Sequence, residues 1–125
     1  MNEPASKQNM SLKTNTLFDV GGVVAVITGG STGIGKMMTQ ALVENGASKV
    51  YIVGRRKEKL DEVTKMAPGV IVPVVGDVTS KDDLKAVAEQ VKNEVGFVNL
   101  LVCNSGVMGQ SGKCVTSHIV SCQRI

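Results

Sequence analysis

Apolar residues in this chain fall into two alternating patterns. Four short apolar-rich runs occupy residues 23–27 (VVAVI), 49–53 (KVYIV), 70–75 (VIVPVV) and 98–102 (VNLLV), the first of them continuous. They are rich in β-branched residues and bounded by turn formers, which is the pattern of buried strands. Between them the apolar residues recur at helical spacing. Ile34, Met37, Met38, Ala41 and Leu42 stand at i, i+3, i+4, i+7 and i+8 and predict one buried helix face, stopped by Asn45-Gly46. Residues 57–66 predict a second helix with Leu60, Val63 and Ala67 on one side, broken by Pro68-Gly69. Ser80 predicts an N-cap, with Asp83 three residues on as in a capping box. Leu84, Val87, Ala88, Val91 and Val95 then carry a third stripe to Gly96. Pro73 removes an N–H from the third run, so that strand belongs at an edge or is displaced. The order βαβαβαβ implies a parallel sheet with helices on both faces.

Composition narrows the class. A chain of 125 residues suits one domain at most. Residues 1–20 are polar and predict a flexible arm, with Leu17, Phe18 and Val20 available to dock. Residues 21–109 carry the periodic pattern, and residues 110–125 lose it and predict an atypical, disordered tail. Phe18, Tyr51 and Phe97 are the only aromatics, so the core is built from Val, Ile, Leu and Met. The net charge is +3, and the basic residues are scattered apart from Arg55-Arg56-Lys57 and Lys59, which argues against a nucleic-acid surface. Three cysteines without a CxxC pair, and no signal-peptide core or membrane-length apolar run, predict a reduced, cytoplasmic protein without a membrane partner. Cys114, His118 and Cys122 are spaced four apart, but the Ser, Thr and Val around them disfavour a helix, and no metal site is assigned.

The chemistry concentrates after the first strand, in Thr28-Gly29-Gly30-Ser31-Thr32-Gly33-Ile34-Gly35. Glycines there permit a tight turn and a close approach of backbone N–H groups to a pyrophosphate, and the following helix adds its positive N-terminal end. Three alternatives stand on this segment alone: a dinucleotide, a nucleoside triphosphate, or no ligand. Residues 30–36 fit GxxxxGK, but the next residue is Met37, whose thioether cannot replace the magnesium-binding hydroxyl of a P-loop.

Three motifs in order, each at the C-terminal end of an expected strand, bear on the choice. The spacing Thr28-Gly29-x-x-x-Gly33-x-Gly35 resembles the TGxxxGxG turn of the short-chain dehydrogenase/reductase family. Gly76-Asp77-Val78 is similar to that family's adenine-contacting Asp-Val, and Cys103-Asn104-Ser105-Gly106 to its NNAG turn, with Cys103 and Ser105 as departures. Cys103 itself reads as a small buried apolar residue. The resemblance implies the N-terminal half of a Rossmann-type, doubly wound α/β parallel sheet, incomplete in this chain. It also implies cofactor-binding residues: Gly29, Ser31, Thr32, Gly33, Ile34 and Gly35 along the pyrophosphate and ribose, Asp77 and Val78 at the adenine, and Asn104 and Gly106 beside the ribose. Alternatives for two of them remain open, since Asp77 could serve only as a helix-entry carboxylate and Asn104 only as a turn residue. At the end of the second strand an acidic residue would select NAD. Arg55 and Arg56 stand there instead and favour the 2′-phosphate of NADP(H), while Asp61 and Glu62 lie too far along to take the acidic role.

The family's reaction, hydride exchange between the cofactor and an alcohol or ketone, uses a Ser, a Tyr and a Lys located beyond the NNAG-like turn. The only tyrosine here is Tyr51, in the second strand, and no YxxxK occurs, so no catalytic residue is assigned. The expected reading is an NADP-dependent oxidoreductase truncated before its catalytic groups, the tail arising from a shifted frame, a retained intron or a premature stop. The alternative is a non-catalytic remnant that at most binds NADP(H) or pairs with another subunit. A complete relative would take a small-molecule substrate, and the family is usually homo-oligomeric.

Overall fold

Two strands are apolar at nearly every position because they are covered on both sides. In the computed structural model, which describes residues 17–106, these are β1 (Val24–Thr28) and β2 (Lys49–Gly54). Ala25, Ile27, Val50 and Ile52 face one layer, where Leu60, Val63 and Ile71 complete a core cluster and Leu42 and Val43 pack against it. Val24, Val26, Tyr51 and Val53 face the opposite layer and meet Val74, Val87 and Val91. Full enclosure of an aliphatic side chain of this size stabilises by about 1.5–3 kcal/mol, so these alternating sets hold the sheet between its helices.

The connections follow the sequence pattern. Helix α1 (Gly33–Glu44) joins β1 to β2, and α2 (Lys57–Thr64) joins β2 to β3 (Ile71–Val75). Helix α3 (Lys81–Glu94) then leads to β4 (Leu100–Cys103). All pairings are parallel, in the order β3-β2-β1-β4. The chain therefore winds outward from β1 to β3 and returns to pair β4 on the other side of β1. With α1 and α2 on one face and α3 on the other, the sheet is doubly wound, as expected. Pro73 lies opposite Ile52 on the edge strand β3, where its missing N–H costs no second ladder. Strand β4 starts two residues later than the apolar run. Asn99 takes the preceding position, its Oδ1 accepting from Val24 N and its N–H donating to Val24 O, both at 2.9 Å.

Expectations about burial need correction at helix α1 and in the N-terminal arm. The stripe Ile34, Met37, Met38 does not face the sheet: these residues are 65%, 69% and 37% exposed, and Gly35 and Thr39 are the buried ones. The helix runs too close to the strands for long side chains. A Cβ on Gly30 would meet Ile52 Cγ2 at 2.6 Å, and one on Gly35 would strike the Gly29 carbonyl. Thr39 fits the narrow gap by donating to the carbonyls of Gly30 and Gly35. Leu17 and Phe18 stand exposed rather than docked. The readings of residues 1–16 and of the tail, including Cys114, His118 and Cys122, lie outside the described residues.

Candidate cofactor-binding site

The C-terminal ends of all four strands open into one cavity of about 400 Å³, within the range of about 300–1,000 Å³ usual for small-molecule sites. It lies where the strand order reverses between β1 and β4, the switch point at which open α/β sheets bind ligands. Each strand contributes a turn. Gly29, Ser31 and Thr32 follow β1, Arg55 and Arg56 follow β2, Asp77 and Val78 follow β3, and Asn104 and Gly106 follow β4. Nine of the twelve residues named from the sequence thus converge on its wall. The other three, Gly33, Ile34 and Gly35, form the first turn of α1 instead. Val53, Gly54, Gly76, Thr79 and Ser105 also line the cavity and were missed as site residues. Four of these adjoin the motif residues, and Thr79 could have been found from the Asp-Val-Thr-Ser sequence.

The turn after β1 is wired to its neighbours. Gly29 N–H donates to Val53 O at 2.8 Å. Thr28 Oγ1 accepts from the N–H groups of Asn104 and Ser105, at 3.1 and 3.0 Å, and donates to Val102 O. Asn104 Nδ2 donates to the carbonyls of Thr28 and Gly29 at 3.1 and 3.3 Å. Asn104 Nδ2 thus braces the turn, while no hydrogen bond engages its Oδ1 among the described residues.

The backbone at the start of α1 is left open. Thr32 is the N-cap of α1 and its side chain makes no capping bond, so the first N–H groups of the helix lack that internal partner. Gly33 has φ +53, and nothing lies within 4 Å of a Cβ built there. The backbone beside the helix end is therefore open to a ligand, as a pyrophosphate cradle requires. Arg55 and Arg56 are exposed at the cavity, and neither forms an ion pair among the described residues. Glu62 is engaged elsewhere, with Lys59 and Lys36.

Among the described residues Asp77 is the one acidic residue of the wall. Its Oδ1 accepts from Thr79 N at 2.9 Å and Thr79 Oγ1 at 2.7 Å. Those two bonds, helped by the nearby positive charge of Arg55, hold its carboxyl below the usual carboxylate range. It is ionised at neutral pH, and no hydrogen bond engages its Oδ2 among the described residues. Tyr51 lies away from the cavity. Its ring is enclosed and its hydroxyl donates to Glu94 Oε2 at 2.7 Å. Burial first, then the bond and charge of Glu94, push the phenol up to about 12. Cys103 is a free thiol and is exposed, not buried, because β4 has no neighbour beyond it among the described residues.

No group of His, Cys, Asp and Glu able to hold a metal occurs among the described residues, and no helix there is long and apolar enough to cross a membrane.

A family model described as short chain dehydrogenase matches residues 23–121. The short-chain dehydrogenase/reductase PhomF of Diaporthe leptostromiformis is 54% identical over 101 residues, covering 79% of this chain and 34% of that protein. The short-chain dehydrogenase/reductase VdtF of Byssochlamys spectabilis is 51% identical over 98 residues, covering 78% and 32%. Among solved structures, L-sorbose reductase from Gluconobacter frateurii, complexed with NADPH and L-sorbose, superposes with a TM-score of 0.64 at 33% identity. That match covers 71% of this chain and 36% of the reductase. The chain spans about a third of the length of the curated relatives it matches.

Proposed function

From the premise that the chain belongs to the short-chain dehydrogenase/reductase family, we propose that its cavity binds NADP(H). In this reading it serves an oxidoreductase that moves a hydride between NADP(H) and an alcohol or ketone. The observation that carries the choice of NADP(H) is the pair Arg55 and Arg56 on the wall, with no acidic residue at the end of β2. A guanidinium presents paired donors to a phosphate, whereas an acidic residue there would favour the free ribose hydroxyl. The backbone N–H groups of residues 31–34 bind the pyrophosphate, Asp77 accepts from the adenine amino group, and Val78 supports the base. Asn104 holds the β1 turn in shape, and Gly106 lets the chain pass close to the ribose. When bound, the cofactor supplies the hydride donor or acceptor. The same reading takes a small-molecule substrate, a reduced cytoplasmic setting and assembly with like chains.

A second reading has its own support. Tyr51, the single tyrosine, lies outside the cavity with its hydroxyl bound to Glu94 and its proton held to about pH 12. It is unsuited to pass a proton near neutral pH. These 125 residues by themselves then bind the nucleotide without turning it over. Calorimetric titration with NADPH and NADH tests the first reading. NADPH should bind more tightly, and Arg55→Ala or Arg56→Ala should each cost about 10- to 100-fold in NADPH affinity, the range for a charge-assisted bond, with NADH unaffected. Equal affinity for both cofactors in the parent chain would remove the case for NADP(H). Hydride transfer by this chain alone would dismiss the second reading.

A further inference from the structure

The cap of α3 is tied to the cavity wall by a bond that capping alone does not require. Ser80 caps the helix, its Oγ accepting from Asp83 N at 3.2 Å. In a reciprocal capping box the residue three positions on reaches back to the N–H of the cap itself. Here the Ser80 N–H donates to Asp77 O at 3.0 Å. The Asp83 carboxylate reaches past it and accepts from Asp77 N–H at 2.8 Å through Oδ2. Asp77 is therefore held at three atoms: its N by Asp83, its O by Ser80, and its Oδ1 by Thr79. Only Oδ2 is left for a ligand among the described residues. Asp77 lines the cavity and Asp83 does not.

We infer that Asp83 is a positioning residue for base recognition: by fixing the Asp77 backbone from the first turn of α3, it sets the free carboxylate oxygen where an exocyclic amino group of the bound base is read. This rests on the reading of the cavity as a dinucleotide site. The segment from Gly76 to Thr79 is anchored on its other side by Gly76 N–H donating to Gly54 O at 3.0 Å. Without Asp83 the segment would still be held at Gly76 and, at Asp77, through its O and Oδ1, but the Asp77 N–H would lose its hydrogen-bond partner, and with it the anchor on the side facing α3. Hydrogen bonds weaken steeply with misalignment, and recognition depends on a side chain held before the ligand arrives. Removing the Asp83 carboxylate should therefore reduce discrimination at the base more than overall affinity.

The test compares NADP+ with its hypoxanthine analogue, in which oxygen replaces the adenine amino group, by calorimetry on the full chain. The parent protein should prefer NADP+ by about ten-fold, the scale of one hydrogen bond to a charged acceptor. In Asp83→Ala the ratio should fall to about one. Asp83→Ser should do the same, because its hydroxyl is too short to reach Asp77 N, and this variant decides the matter if the alanine variant does not fold. Asp83→Asn keeps an acceptor and should keep the preference. Asp82→Ala removes a like charge from the same turn and should leave the ratio alone. A lowered melting midpoint in Asp83→Ala or Asp83→Ser with an unchanged ratio would make Asp83 a helix-stabilising residue only and overturn the inference. So would an equal collapse in Asp82→Ala, or equal binding of both dinucleotides by the parent. If the parent binds neither, the cofactor reading itself falls.

Discussion

Glycine at 35 and glycine at 33 look alike in a motif and do different work. Gly35 is buried where α1 crosses β1, and an added Cβ would strike the Gly29 backbone carbonyl and come within 2.6 Å of Asn104 Nδ2. Neither neighbour can yield, since Asn104 is bound to Thr28 and Gly29. Gly33 has only its φ of +53 to lose, with open space around it. Gly33→Ala should cost about 1–2 kcal/mol, the strain of a left-handed L-residue. Gly35→Ala should cost more, about 3 kcal/mol or above, as overpacking against rigid backbone does. Thermal denaturation of the two variants checks this ranking, and a less stable Gly33→Ala would contradict it. At this scale the sequence named most of the cavity wall, because its motif residues sit at strand ends that the fold brings together. It did not reveal that Asn104 Nδ2 donates inside the turn, since spacing carries no record of hydrogen-bond partners.

At the scale of elements, one polar tie joins helix to sheet across a layer otherwise filled by valines. Tyr51 on β2 donates to Glu94 in the last turn of α3, and Gln90 Nε2 donates to the other Glu94 oxygen at 2.9 Å. The Tyr51 pKa is raised to about 12 by burial and by Glu94, and that of Glu94 is lowered by its bonds from Tyr51 and Gln90. The signs give a plateau. The raised phenol contributes stability that is fully present below its unfolded value near 10 and is lost as pH rises toward 12. The lowered carboxyl contributes stability present above its unfolded value near 4.5 and lost as pH falls through the depressed one. Tyr51→Phe should cost about 0.5–1 kcal/mol near neutral pH, the low end for one bond to an exposed acceptor. It should also flatten the alkaline arm of a melting-temperature profile between pH 9 and about 12. An unchanged alkaline arm would refute the tie. Element order, the parallel sheet and the edge position of Pro73 were legible, because period and turn residues report them directly. The buried face of α1 was not. Periodicity finds the apolar side of a helix, but at the Gly30–Gly35 crossing closeness selects small residues and turns Ile34 and Met37 outward. The capping pair Ser80 and Asp83 was legible as a helix start, while the carboxylate's reach to Asp77 was not, because capping logic looks only for the nearest free N–H.

At the scale of the whole molecule, the same asymmetry that makes the site leaves β4 at the margin of the sheet among the described residues. Strand β4 pairs with β1 alone, so among the described residues its outer row of N–H and C=O groups has no ladder partner. Beside that edge Phe97, Val98, Leu100 and Leu101 are exposed, Phe97 and Leu101 by more than half. A parallel sheet is ordinarily buried on both faces, and an open apolar edge strand is a template for pairing with another chain. A net charge of +3 over 125 residues offers little repulsion to prevent it. Expressed as these 125 residues, the protein should therefore self-associate as its concentration rises, which sedimentation velocity would register as a growing weight-average size. Leu101→Lys sets a charge on the edge strand and should shift the protein toward monomer without touching the cavity, whose wall does not include residue 101. If the parent chain sediments as a monomer at every concentration and melts cooperatively, the edge is satisfied in another way and the prediction fails. If Leu101→Lys alone restores the monomer while NADPH affinity is unchanged, nucleotide binding and edge pairing are separate properties of the fold. The cavity then depends on the turns at the strand ends and not on whatever lies beside β4.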